Sequence, residues 1–180
     1  DTTFSTVDIT PIIISLNTST NASCNYLCDG TSTINITGGT GNYPNIEWFE
    51  GTIASGVNTG ITGLINNQLC PDTDYYVTAI DDNGCSQSFQ INPITSASAI
   101  DITGTTNDIL CNGDGNGSIN VNLSGGNGLL TPAWTTIIPG SGIISGNEDQ
   151  TGLSGGTYKI VVTDQNNCQD TIFREIFCAF

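Results

Sequence analysis

The residues of this chain that could do chemistry are seven cysteines and a set of aspartates at the ends of β-branched runs. The cysteines are Cys24, Cys28, Cys70, Cys85, Cys111, Cys168 and Cys178. A zinc site would need close Cys pairs or His, but the nearest pair is Cys24 with Cys28 and the chain has no His. Seven cysteines in an acidic chain poor in helix formers read instead as disulfide candidates in an oxidising compartment. Asp81, Asp82 and Asp164 stand where strands should end, a place that suits both ligands of a hard cation and formers of type I turns. Asp114 lies in Asn112–Gly117, which mimics the opening of a calcium loop with oxygen side chains at alternate positions and Gly sixth. Its twelfth position is Leu123 where a bidentate Glu belongs, so a glycine turn competes with a calcium site. Calcium at Asp81, Asp82, Asp114 and Asp164 is the one cofactor suggested.

Catalytic chemistry finds little support. Glu47 and Glu50 form the close glutamate pair, but they flank Trp48 and Phe49 on a strand and read as a solvated face. Serines abound without a His to activate them, and neither Lys159 nor Arg174 sits in a nucleophile motif. No catalytic residue is assigned, and the chain reads as a non-enzyme. Lys and Arg total 2 against 17 Asp and Glu, for a net charge of −15. Such a chain cannot neutralise a phosphate backbone or an anionic membrane surface, which excludes nucleic acid as a partner. No apolar run approaches a membrane span. The chain starts at Asp1 without Met or a signal peptide, and reads as a processed or excerpted segment.

These residues hang on strands. Gly155–Cys168 is the clearest: Tyr158, Ile160 and Val162 fall on one face and Lys159, Val161 and Thr163 on the other. Asp74–Cys85 is its degraded copy, with Tyr75, Val77 and Ala79 on one face. An offset of 83 lays Cys85 on Cys168, Tyr75 on Tyr158, Asp81 on Asp164 and Cys28 on Cys111, so the chain is a tandem repeat. Thr31–Thr37 closed by Gly38-Gly39 matches Gly117–Leu123 closed by Gly125-Gly126, and each is followed by a segment with one Trp, Trp48 or Trp134, a plug for a sandwich core. Thr62-Gly63-Leu64 corresponds to Thr151-Gly152-Leu153, which makes Asn66–Thr73 an insertion in the first copy. The stretches 50–61 and 139–150 show no firm pattern. No stretch supports a long helix. The organisation expected is an all-β chain of two small sandwiches: residues 17–95, then 96–180. Residues 1–16 have two readings: the first strand of repeat one, or the closing strand of a preceding unit that serves as a donor strand to a neighbour.

Cys111-Asn112-Gly113, GSINVNLSGG, Trp134, LSGGTY at Leu153–Tyr158 and VVTDQNNC together resemble the SprB-type repeat of Bacteroidota surface adhesins, itself similar to PKD and immunoglobulin-like sandwiches. Cys28-Asp29-Gly30, Gly38-Gly39, Trp48, Gly63-Leu64, Tyr75, Asp81 and Gly84-Cys85 follow the same order. The resemblance implies two tandem immunoglobulin-like, Greek-key β-sandwich domains in an exported cell-surface protein tied to gliding, adhesion and type IX secretion. Such modules are spacers or binding units and bring no catalytic residues. The partners implied are neighbouring repeats or identical subunits in a filament, and surface glycans. A carbohydrate- or calcium-binding accessory module of a secreted enzyme is the competing reading. Thr2 and Thr171 resemble acceptors of O-linked glycans on exported Bacteroidota proteins. Greek-key topology allows two disulfide schemes. In one, Cys28 reaches Cys168, Cys24 pairs with Cys70 and Cys111 with Cys178; in the other, Cys28 pairs with Cys85 and Cys111 with Cys168.

Overall fold

The computed structural model describes residues 10–110, 114–137 and 139–178. The chain divides into two units, Asp1–Ser96 and Ala97–Phe180. Every regular element among the described residues is a strand. In the first unit, β1 (Ile13–Thr20), β2 (Gly30–Thr37), β3 (Asn45–Glu50), β4 (Val57–Thr62), β5 (Ile65–Leu69), β6 (Tyr75–Ile80) and β7 (Ser86–Ile91) form two antiparallel sheets. Their orders are β1-β2-β5 and β4-β3-β6-β7. The second unit holds β8 (Asp101–Asn107), β9 (Gly117–Ser124), β10 (Thr131–Ile137), β11 (Gln150–Leu153), β12 (Gly156–Thr163) and β13 (Gln169–Ile176), ordered β11-β9-β8 and β10-β12-β13. Each unit is an immunoglobulin-like Greek-key sandwich, because the fifth strand of the first unit and the fourth of the second return beside the strand that opened the B position.

Period-two patterning builds both cores. Tyr158, Ile160 and Val162 are fully buried on one face of β12 while Lys159 and Val161 are half-buried on the other. In the first unit Trp48, Leu69, Val77 and Ala79 have no exposed surface and pack with Ile14, Ile34, Tyr75, Ile91 and Ile94. In the second, Ile109, Ile119, Leu153, Tyr158 and Ile176 form a cluster against which Trp134 packs half-buried. Tyr76, on the outer face of β6, is also buried, because its ring stacks on Phe49 with centroids 4.7 Å apart. Gly38 and Gly125 end β2 and β9 at φ 79° and 75°. A Cβ would lie 2.0 Å from the Pro11 carbonyl oxygen in one and 1.9 Å from that of Ala99 in the other, so only glycine admits the strand that crosses there.

Three features differ from the sequence reading. Ile13–Leu16 pairs with β2, Ile13 opposite Thr37 and Leu16 opposite Ile34, so it is the first strand of its own unit rather than the close of a preceding one, and a boundary at 16/17 cuts through β1. Residues 1–9 lie outside the described residues. The stretch 50–61, patternless in sequence, contains most of β4; this short strand bordering β3 has no counterpart among the described residues of the second unit. The supposed insertion Asn66–Thr73 overlaps β5, which is integral to the fold. Leu69 pairs with Gly30 as Leu153 pairs with Gly117, and both leucines are fully buried, whereas Leu64 is 45% exposed. Leu153 therefore matches Leu69, not Leu64. The same registers place Gly30 and Gly117 together, 87 residues apart, and that spacing lays Cys24 rather than Cys28 on Cys111.

Candidate functional site

Asp81 and Asp164 sit where β6 and β12 end, and both are almost wholly buried. Asp81 Oδ1 accepts the backbone N–H groups of Asn83 (3.0 Å) and Cys85 (2.9 Å), and its Oδ2 accepts that of Thr40 (3.2 Å). Asp164 repeats the set: Oδ1 with Asn166 (2.8 Å) and Cys168 (2.9 Å), Oδ2 with Asn127 (2.8 Å). Each carboxylate closes its own hairpin and ties it to the loop from the opposite sheet. A buried anion is tolerated when several N–H groups face it, and here three do. Both oxygens are thus engaged by backbone donors. Asp82 is exposed and accepts both its contacts, at 3.0 and 2.8 Å, from Asn42 Nδ2. Asp114 is half-buried before β9. Among the described residues no three Asp, Glu, Cys or His side chains come together as a metal set.

At the other end of each sandwich a tyrosine at the start of the sixth or twelfth strand reaches back to the turn before it. Tyr75 Oη accepts the Cys70 N–H at 3.1 Å. Tyr158 Oη lies 2.7 Å from the carbonyl oxygens of both Ser141 and Ser154, donating to one of them, and accepts the Ser141 N–H at 3.1 Å. Such a corner pins the crossing between sheets. Each Trp donates from Nε1 to a carbonyl, Trp48 to Gly63 and Trp134 to Glu148, both at 2.9 Å.

Cys28 and Cys70 form a disulfide with Cα atoms 3.9 Å apart. The ladder of β2 and β5 explains it: Gly30 opposes Leu69, and the two cysteines lie just beyond that pair. Cys28 therefore bonds neither to Cys168 nor to Cys85, and Cys70 is not available to Cys24. Cys24 and Cys168 are also disulfide-bonded. Cys85 and Cys178 are free thiols, the first exposed and the second half-buried, so a Cys111–Cys178 bond is excluded. Cys111 lies outside the described residues. Beside Cys28, Asp29 accepts the Ser23 hydroxyl at 2.5 Å and the Ser23 N–H at 2.8 Å, and these bonds, the hydroxyl's foremost, hold its carboxyl below the usual aspartate range.

Glu47 and Glu50 do not converge. They project from opposite faces of β3, since they are three residues apart on a strand. Glu50 borders a hollow of about 330 Å³ beside the Cys28–Cys70 bond, and Glu47 one of about 310 Å³ beside Tyr43. Thr171 is exposed on β13, an edge strand, while Thr2 lies outside the described residues. The buried aspartate turn was legible as an Asp at a strand end; its partners Thr40 and Asn127, from a distant loop, had no sequence signal.

Residues 103–136, from within β8 to within β10, match the family model of the SprB repeat. No curated protein matches the chain. Among solved structures, the extracellular domains 3–5 of Drosophila OTK align with a TM-score of 0.37 at 11% identity, over 88% of this chain. The chain spans 58% of the length of that structure.

Proposed function

We propose that this chain is a non-catalytic structural and adhesive segment of an extracellular surface adhesin or filament. One observation carries the reading: a single sandwich plan occurs twice with the same buried fixtures, and the second occurrence contains the SprB-repeat match. Asp81, Tyr75 and Trp48 recur as Asp164, Tyr158 and Trp134, and each is spent on holding strands and turns together. The Cys28–Cys70 bond supports an oxidising, extracellular setting. A surface poor in cations and rich in Thr, Asn, Ser and Gly suits a module that meets solvent and glycans. Neighbouring repeats or identical subunits are its proposed partners. Antibody raised against the purified chain should label intact, unpermeabilised cells of the source organism, and brief protease treatment of those cells should remove the label. Labelling that requires permeabilisation would overturn the reading.

A further inference from the structure

Cys85 and Cys168 occupy the same place in the two units. Each stands four residues after a buried aspartate whose Oδ1 accepts its N–H at 2.9 Å. Cys168 is buried and disulfide-bonded; Cys85 is exposed and free. Unit 1 offers Cys85 no partner, since Cys28 and Cys70 are bonded to each other and Cys24 is already in a disulfide. The partner must come from outside that unit. The turn bearing Cys85 lies at the leading end of unit 1, where Gly39 N–H meets the Thr10 carbonyl and Thr40 N–H meets Asp81. The other free thiol, Cys178, lies at the trailing end of unit 2, past β13 and bridged to Ile109 beyond the end of β8.

We propose that Cys85 is a covalent attachment site for a second copy of this chain, joined as a disulfide to Cys178 of that copy. The inference deepens the structural-repeat reading and rests on it. The oxidant is a disulfide of the glutathione or thiol-oxidase class. The Cys85 thiolate attacks one of its sulfurs and releases a thiolate, giving a mixed disulfide. The Cys178 thiolate of the second copy then attacks Cys85 Sγ and expels the second thiol. Two protons and two electrons leave the cysteines, and the oxidant is reduced to two thiols. A bond between two different residues leaves one thiol of each kind unused at the ends, so linkage grows as an open series rather than stopping at a pair.

The test is oxidation of the purified 180-residue chain with glutathione disulfide, read on non-reducing gels and by mass spectrometry of unreduced chymotryptic peptides. Expected are dimers, trimers and longer species that collapse on reduction, with a linked peptide pairing Cys85 and Cys178. Cys85→Ser alone and Cys178→Ala alone should each stay monomeric, whereas a mixture of the two variants should stop at dimers. The serine at 85 keeps the N–H that Asp81 holds, so that variant folds. A wild-type chain that stays monomeric, or that links only through Cys85 to Cys85, overturns the inference. Cell-surface labelling does not depend on Cys85, so failure of this linkage leaves the structural-repeat reading separately measurable.

Discussion

Asp164 Oδ1 accepts the backbone N–H of Cys168 at 2.9 Å, and the same carboxylate reaches Asn127 from the loop of the opposite sheet at 2.8 Å. One buried side chain thus closes a hairpin and joins two sheets. Replacing Asp164 with Ala leaves three N–H groups without their acceptor, a loss of about 2–4 kcal/mol for charged hydrogen bonds and unpaired donors. Asp81→Ala should cost a similar amount in the first unit. Urea denaturation of each variant against wild type measures both.

Each unit carries one tryptophan, so fluorescence can follow the two units separately in single-Trp variants. Trp48 is fully buried, and Trp48→Ala should destabilise unit 1 by about 3–5 kcal/mol, as large-to-small changes in a core do. Trp134 is half-buried, so Trp134→Ala should cost unit 2 less. Remaining tryptophan emission during denaturation reports the untouched unit, and it should be unchanged.

Tyr158→Phe removes a hydroxyl that contacts both Ser141 and Ser154, while Tyr75→Phe removes one that only accepts from Cys70. The expected losses are about 1–3 kcal/mol for Tyr158 and about 0.5–1.5 kcal/mol for Tyr75. Equal effects, measured by chemical denaturation, would contradict the difference in their partners.

The Cys28–Cys70 bond closes a 42-residue loop within unit 1. A Cys28→Ala, Cys70→Ala double variant should lose about 2–4 kcal/mol. The loss should show in the Trp48 transition, with the Trp134 transition in place.

Asp29 offers a pH test. Its folded pKa is lowered, so its contribution is present above the unfolded value of about 3.9 and is lost as pH falls through the folded value. Carboxyl chemical shifts should show Asp29 titrating on the acid side of an ordinary aspartate. Ser23→Ala removes the leading bond and should move that titration upward.

Much of the fold was legible because a strand writes its burial into alternate residues. Tyr158, Ile160 and Val162 declare their face without any knowledge of what covers it, and Gly38-Gly39 and Gly125-Gly126 declare turns through their conformational freedom. β4 and β5 were harder, since Val57–Thr62 and Ile65–Leu69 are short, rich in Asn, Gly and Thr, and half of what identifies them is the strand they lie against. An ungapped offset also misled: the two copies differ in loop length, so one spacing holds for β6 and β12 and another for β2 and β9.

By itself the sequence determined that this protein is all-β, duplicated, strongly acidic and supplied with thiols, because composition and period-two patterning are local properties. Only the tertiary structure decided that Cys28 meets Cys70, that Thr40 and Asn127 feed the buried aspartates, and that Glu47 and Glu50 face apart. Those relations depend on which strands lie side by side and in what register, and register is set by the packing of the whole sandwich rather than by any neighbourhood of the chain.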